Sequence, residues 1–367
     1  MCALNENTLD ITVFGPGFGE SIILNMPGLG WGLIDSCLSR VKGISQNPAL
    51  EYLQKKNVQR LAFIVLTHPH EDHYLGLDQI IEQYLGRIDR ICYYSGDGIK
   101  EYREYLARKE FLDPPSGLRK FADVLRKIAE AKDRRANIIR IAERTEIIRK
   151  MKYGKHEIEM IALSPSAESV KQYVELLFDA IPKEDGDSVK HLSDSHHNLL
   201  SSAIWCSIGN LRLVLGSDVE CGDDNQTGWN GILNNIDCPD LSSHLVKVSH
   251  HGSSNAFHEP AWKIFSRDAR PISIITPFTR LADPLSRDSE LKKIAIYSNA
   301  VAVTTRTEFV KPKRIYDRTI LKHFRGVKKW QCILEHEESG YVHVSFSVDD
   351  GSVINFDTVP PAYLFEN

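Results

Sequence analysis

The chain has 367 residues, 42% hydrophobic and 26% charged, with a formal net charge of −4. This is globular composition, which excludes disordered, collagenous and fibrous chains, and apolar stretches such as Leu61 to Leu66 fall far short of the roughly 18 residues of a membrane span. With 45 basic against 49 acidic side chains there is no global footprint for nucleic acid, so any polyanion site must be local.

Residues 1–10 lack a basic region followed by an apolar run, so no secretory signal is expected there, and the expected location is cytoplasmic with no membrane partner. The seven cysteines form no CxxC pairs, which argues against a disulfide framework or a zinc ribbon.

In chain order, Ile11 to Phe14, Ser21 to Asn25 and Gly32 to Asp35 read as short strands closed by Gly, Pro or Asn, the pattern of a β-meander. Pro48 to Asn57 reads as a helix with Asn47 as N-cap and Pro48 at its first position. Arg60 to Leu66 is a nearly continuous apolar run, as expected of a strand covered on both faces. Leu75 to Leu85 is amphipathic and Asp89 to Tyr94 is a further strand, so strand and helix alternate.

Residues 100–152 form a charged segment expected to be a mostly helical insertion, with Phe121, Val124, Leu125 and Ile128 at helical spacing and basic positions including Lys120, Arg126, Lys127 and Arg134. Strands are expected again at His156 to Leu163, Ser202 to Ile208, Leu211 to Leu215, Leu245 to Val248 and Ile272 to Ile275. In the tail, Val342 to Val348 and Ser352 to Thr358 flank Asp349-Asp350-Gly351, a hairpin signal. The expected organisation is one hydrolase-sized unit over 1–306, containing the insertion 100–152, and a β-rich extension over 307–367.

The buried strand ends in Thr67-His68-Pro69-His70-Glu71-Asp72-His73. Three imidazoles and an aspartate this close on a strand–loop–helix junction are hard to explain by packing, and the mixture of nitrogen and oxygen donors suits zinc or manganese. Two later strands end in further donors: Leu211 to Leu215 runs into Gly216-Ser217-Asp218, and Leu245 to Val248 runs into Ser249-His250-His251-Gly252-Ser253. His196-His197-Asn198 lies between them and the first cluster.

The HxHxDH run, Asp218 and His250-His251-Gly252-Ser253 resemble the metallo-β-lactamase fold hydrolases. The likeness is strongest to the hydrolase domain of ComEC-type DNA-uptake (competence) proteins and their free-standing relatives. The recurring segments are present in order as Leu163-Ser164-Pro165, Asn198-Leu199-Leu200-Ser201, Gly216-Ser217-Asp218 and His250-His251-Gly252-Ser253. The resemblance spans Ile11 to Thr305 apart from the insertion and implies an α/β, αββα sandwich.

It also implies two divalent metal ions, zinc ahead of manganese. His68, His70 and a mid-chain histidine, His197 before His196, would hold one; Asp72, His73 and His250 would hold the other, with Asp218 as bridge. Asp72 is the expected orienter of the attacking water, and His251 the alternative to His250 as ligand or else a donor to a substrate oxygen. Asn198, Ser201, Gly252, Ser253 and Ser254 are expected at the substrate, with Thr276 a further hydroxyl candidate and Asp35 behind the ligands.

Such a centre suits in-line phosphoryl displacement, so a phosphodiesterase or nuclease is the leading expectation, with nucleic acid or another phosphodiester as substrate. The alternatives are a small-molecule hydrolase acting on a lactone, thioester, phosphorylcholine ester or cyclic nucleotide, and a partner subunit of a multi-gene prokaryotic defence assembly, with protein contacts through 100–152 and 307–367.

Overall fold

The computed structural model describes residues 7–41, 44–94, 96, 116–180, 194–279, 286–306 and 339–366. The expected meander forms as β1 (Thr8–Phe14), β2 (Ser21–Met26) and β3 (Gly30–Ile34), paired antiparallel. A two-stranded ribbon, β4 (Ser39–Val41) and β5 (Ile44–Gln46), precedes the helix Pro48–Lys55. That helix starts as the sequence requires: the Asn47 side chain accepts a hydrogen bond from the Leu50 amide at 3.0 Å, and Pro48 fills the first turn.

The next strand, β6 (Leu61–Leu66), is buried at every position and lies parallel between β3 and β7 (Arg90–Tyr93), which is why its sequence does not alternate. β8 (Asn137–Arg140) adds one more parallel strand. The second sheet begins with β9 (Glu146–Tyr153), β10 (His156–Ala162), β11 (Ile204–Ile208) and β12 (Leu211–Leu215), all antiparallel. It continues through parallel β13 (Leu245–Lys247), β14 (Ile272–Ile275) and β15 (Ala300–Val303).

The chain then returns to both sheets. β16 (Tyr341–Ser347) pairs with β1, β17 (Val353–Val359) pairs with β16, and β18 (Tyr363–Leu364) pairs with β15. The described part of 307–367 therefore supplies strands to both eight-stranded sheets, and residues 307–338 lie outside the described residues.

Three apolar clusters define the layers. Ile11, Val13, Leu24 and Val65 of the first sheet meet Ile158, Cys206, Leu213 and Ile274 of the second in the interior. Leu33, Ile64 and Ile91 turn outward against Leu53, Ile80 and the helix Ser116–Asp133, through its Phe121, Val124 and Ile128. Val214, Val246 and Ile275 face outward against the helices Gly228–Asn234, Glu259–Phe265 and Asp288–Tyr297. Helix, sheet, sheet, helix: the chain adopts the α/β sandwich expected from the motifs.

The structure differs from the sequence reading within 100–152. Of the described part, only Ser116–Asp133 is helical, and residues 137–153 carry strands that edge both sheets. Charge masked the signal there: Ile147 and Ile148 are buried β-branched residues set among exposed Arg149, Lys150 and Lys152. Residues 97–115 lie outside the described residues. Among the described residues no helix is long and apolar enough to cross a membrane.

Because β16 lies against β1, with Val342, Val344 and Phe346 at 0–1% exposure, the C-terminal strands hold up the interior. Phe346→Ala is expected to cost about 3–5 kcal/mol, read as a lower denaturant midpoint.

Candidate metal centre

Every strand that feeds the site does so from its carboxyl end. β3 delivers Asp35, β6 delivers His68 to His73, β12 delivers Asp218, β13 delivers His251 and β14 delivers Thr276. The two sheets thus meet at one edge with their donors facing each other.

Three groups of donors result: Glu20, Asp35 and His73 lie together behind the site, and the two ligand sets share Asp218. His68, His70 and Asp218 offer atoms within 4.8 Å of one another, and so do Asp72, His73, Asp218 and His251. The contacts are close: His70 Nδ1 is 2.5 Å from Asp72 Oδ1, His251 Nε2 is 3.0 Å from Asp72 Oδ2 and 3.5 Å from Asp218 Oδ2, and His73 Nε2 is 3.4 Å from Asp218 Oδ1. His68, Asp72, His73, Asp218 and His251 are all at most 1% exposed.

The nitrogen of each ring that points away from the cluster is occupied. His73 Nδ1–H donates to Asp35 Oδ2 at 2.7 Å, His251 Nδ1–H donates to the Thr276 carbonyl at 2.7 Å, and His68 Nδ1 lies 3.1 Å from Thr67 Oγ1. These contacts orient the rings so that Nε2 of each faces inward, where it would meet a cation once deprotonated. Inside the cluster, His68 Nε2, His73 Nε2 and Asp218 Oδ1 are buried with no hydrogen-bond partner. Buried polar atoms left open on converging imidazoles and carboxylates are what divalent cations require, so the residues fit such ions.

Behind the ligands runs a chain of hydroxyls. Ser201 Oγ donates to Ser217 Oγ (2.9 Å), which donates to Thr67 Oγ1 (2.8 Å), which donates to Asp35 Oδ2 (2.7 Å). The Thr67 amide donates to the other Asp35 oxygen at 2.8 Å, and the Asp218 amide donates to Ser201 Oγ at 2.8 Å. Asp35 therefore supports His73 directly. Ser201, expected at the substrate, is 1% exposed and spends its hydroxyl on Ser217 and Asp218.

The double histidine differs from the leading sequence expectation. His250 and His251 both adopt left-handed backbone, φ 44° and 54°, in a tight turn after β13. That turn carries His251 into the cluster and His250 away from it, with Nδ1 3.1 Å from Asn255 Oδ1 and 3.5 Å from Glu220 and with Nε2 3.4 Å from Asn198 Nδ2. Asp35 (φ 57°) and Ser217 (φ 45°) share the left-handed conformation, so backbone strain concentrates at the centre.

The remaining expected residues lie outside the two ligand sets. The His197 ring lies beside His70, centroids 6.2 Å apart, with Nδ1 3.1 Å from the Tyr173 hydroxyl, and it joins neither ligand set. His196, the alternative, joins neither set as well. Asn198 Nδ2 donates to Glu220 at 2.8 Å. Gly252 is buried, the Ser253 amide donates to the His250 carbonyl at 2.8 Å, and Ser254 is exposed. The Thr276 hydroxyl, expected at a phosphate, donates instead to Glu20 Oε2 at 2.7 Å.

Two charged residues escaped sequence reasoning. Glu20 and Lys247 form an ion pair at 1% and 0% side-chain exposure beneath His251. The available signal was a lysine inside the apolar run Leu245 to Val248.

The electrostatics follow from burial against close opposite charge. Burial opposes charge on His251, but Asp218 and Asp72 outweigh it and lift the ring to about 9. His73 is raised well above its usual range against burial by Asp72, Asp218 and Asp35. Burial would raise Asp218 and Asp72, yet His251 and His73 beside Asp218, and His73 with His251 beside Asp72, hold both well below the usual carboxylate range. Burial and the neighbouring His73 push His68 well down.

Protons therefore stand in for cations in the metal-free protein. His251 retains its proton in the fold from its ordinary 6.5 up to about 9, so its contribution to stability is complete below 6.5 and is lost as pH rises through about 9. Thermal unfolding of chelator-treated protein is expected to show a falling Tm from pH 6.5 to 9. Metal-loaded protein, its rings already deprotonated, should lack that fall, and metal uptake near neutrality should release protons in calorimetry.

No family model and no curated protein matches the chain. Among solved structures it is similar to Igni18, a metallo hydrolase from the hyperthermophilic archaeon Ignicoccus hospitalis KIN4/I, at 13% identity and TM-score 0.39, covering 80% of this chain and 94% of that one. It is similar to a diphosphatase from the PhnP family at 11% identity and TM-score 0.35, covering 73% and 86%. It is also similar to the metallo-beta-lactamase fold protein YhfI from Bacillus subtilis at 12% identity and TM-score 0.39, covering 81% and 95%. Likenesses at these scores assign the chain no substrate.

Proposed function

We propose that the chain is a dinuclear metal-dependent hydrolase acting on phosphodiesters. One observation carries the reading: the Asp218 carboxylate belongs to both ligand sets, with His68 and His70 on one side and Asp72, His73 and His251 on the other. Two adjacent cations sharing one carboxylate need this arrangement. Two divalent ions held there, zinc ahead of manganese by donor type, would supply Lewis-acid activation of water and stabilise charge on the attacked and leaving oxygens.

The chain's own residues position this chemistry. Asp72 spans the sets, one oxygen toward His70 and the other toward His251, and so orients whatever lies between them. Asp35 and the Thr276 carbonyl engage Nδ1–H of His73 and His251, so that Nε2 is the ring atom that would face a cation. His250, Asn198 and Glu220 form a polar wall at the rim, and a cleft of about 70 Å³ beside it is lined by Ser164, Asn198, Ser201, Glu220 and Thr227. We assign substrate contact to His250 and Asn198 on this placement.

The nuclease form of the reading rests on the motif resemblance to ComEC-type proteins. A small phosphoester is favoured by a separate observation on the helix Ser116–Asp133. Lys120 faces Glu71 at 3.5 Å, Arg126 faces Asp123 at 2.8 Å, and Lys127 faces Glu82 at 2.5 Å and Glu130 at 2.7 Å, so these cations are already engaged.

The test is elemental analysis of wild type and variants, paired with hydrolysis of bis(p-nitrophenyl) phosphate after zinc or manganese loading. Wild type is expected to hold close to two ions and Asp218→Ala to lose both with all activity. His251→Ala should lose one ion, while His250→Ala should keep both and lose rate. A wild-type chain that takes up no metal on reloading would sink the proposal, and equal metal loss from the two histidine variants would overturn the choice of His251.

A further inference from the structure

Each ligand set draws on both sheets, with His68, His70, Asp72 and His73 following β6 and Asp218 and His251 following β12 and β13, and Glu20 joins the supports of the two sides. Its amide donates to the Asp72 carbonyl at 3.2 Å, on the β6 side. Its side chain reaches the other sheet, where Oε2 accepts from Thr276 Oγ1 at 2.7 Å and pairs with the Lys247 ammonium. Thr276 in turn offers its carbonyl to His251 Nδ1–H. The approach is tight, since a Cβ on the preceding Gly19 (φ +81°) would stand 2.1 Å from the Asp72 carbonyl oxygen.

Glu20 Oε2 is also only 3.9 Å from His251 Nδ1, so the carboxylate competes with the Thr276 carbonyl for the same proton. An unoccupied buried carboxylate is the stronger acceptor of the two. Lys247 and the Thr276 hydroxyl occupy that oxygen and leave the His251 proton to the carbonyl.

Building on the metal-centre reading above, we propose that Glu20 and Lys247 are positioning residues. They form a charge-neutral clasp between the two halves of the centre that keeps His251 Nδ1–H on the Thr276 carbonyl and Nε2 aimed at the ligand set of Asp72, His73 and Asp218. Neither touches the substrate or the ligand atoms. A pair serving only to link the sheets would affect folding and leave the imidazole alone.

The experiment uses the full chain. In metal-free protein labelled with ¹⁵N-histidine, NMR is expected to show a His251 Nδ1–H proton signal of the kind given by a carbonyl acceptor. Lys247→Met leaves Glu20 without its cation and should draw that proton toward the carboxylate, moving the Nδ1–H signal downfield. In chelator competition, zinc affinity of the set containing His251 should fall roughly 10–100-fold, while the His68–His70 set holds its ion.

The double variant Glu20→Gln/Lys247→Met removes both charges and should return the Nδ1–H signal, and the affinity to within about threefold of wild type, because a neutral pair makes no strong rival acceptor. Thr276→Val, which keeps the carbonyl and removes the hydroxyl, should produce a smaller shift of the same kind and serves if Lys247→Met does not fold. An unchanged Nδ1–H signal and affinity in these variants would overturn the proposal, as would a change in Tm alone or a double variant worse than the single in both readouts. Wild type that binds no zinc would refute the metal-centre reading, and the Nδ1–H signal would still judge the clasp.

Discussion

Everything in this structure depends on holding several imidazoles and carboxylates together out of water at the shared edge of two sheets. Five of these side chains are at most 1% exposed, and His68 Nε2, His73 Nε2 and Asp218 Oδ1 among their inward atoms lack hydrogen bonds. Desolvated groups of this kind are tolerable only if they neutralise one another or share a cation. The metal-free protein does the first, with His73 and His251 holding protons against Asp72 and Asp218. The same geometry, with those protons removed, accommodates the second.

The rest of the fold can be understood as what keeps this cluster from relaxing. Parallel strands β3 and β6 in one sheet, and β12, β13 and β14 in the other, end together, so the residues that follow them converge at one edge. Four of their residues adopt left-handed backbone, and the hydroxyl relay from Ser201 to Asp35 offsets that cost with hydrogen bonds. C-terminal strands pair with both sheets and brace the interior from which the loops project.

The rim is chemically different from the centre. His250 and Glu220 are partly open and bonded to the buried Asn198 between them, so they can exchange partners with a ligand at little structural cost. The helix Ser116–Asp133 packs its apolar face on the first sheet's outer cluster while its cations pair with local acids, a supporting role that its basic composition concealed.

Much of this was legible in the sequence because it is local. The apolar run of β6, the Asn47–Pro48 cap, the tail hairpin and the dense His68 to His73 cluster are fixed by neighbours a few residues away. The strands at 137–153 were not: β8 pairs with the distant β7, and β9, although it forms a hairpin with the adjacent β10, has an exposed face as charged as a helix surface. Donor types at strand ends were likewise determined by sequence, and they suffice to indicate metal chemistry. Which donors converge was decided only by tertiary structure: two residues of left-handed backbone place His251 inside and His250 outside, and no one-dimensional pattern encodes that turn. The same holds for Glu20 and Lys247, 227 positions apart in sequence by their numbers and paired because the two sheets meet face to face. Local physics chose the side chains, and the packing of the sheets chose their partners.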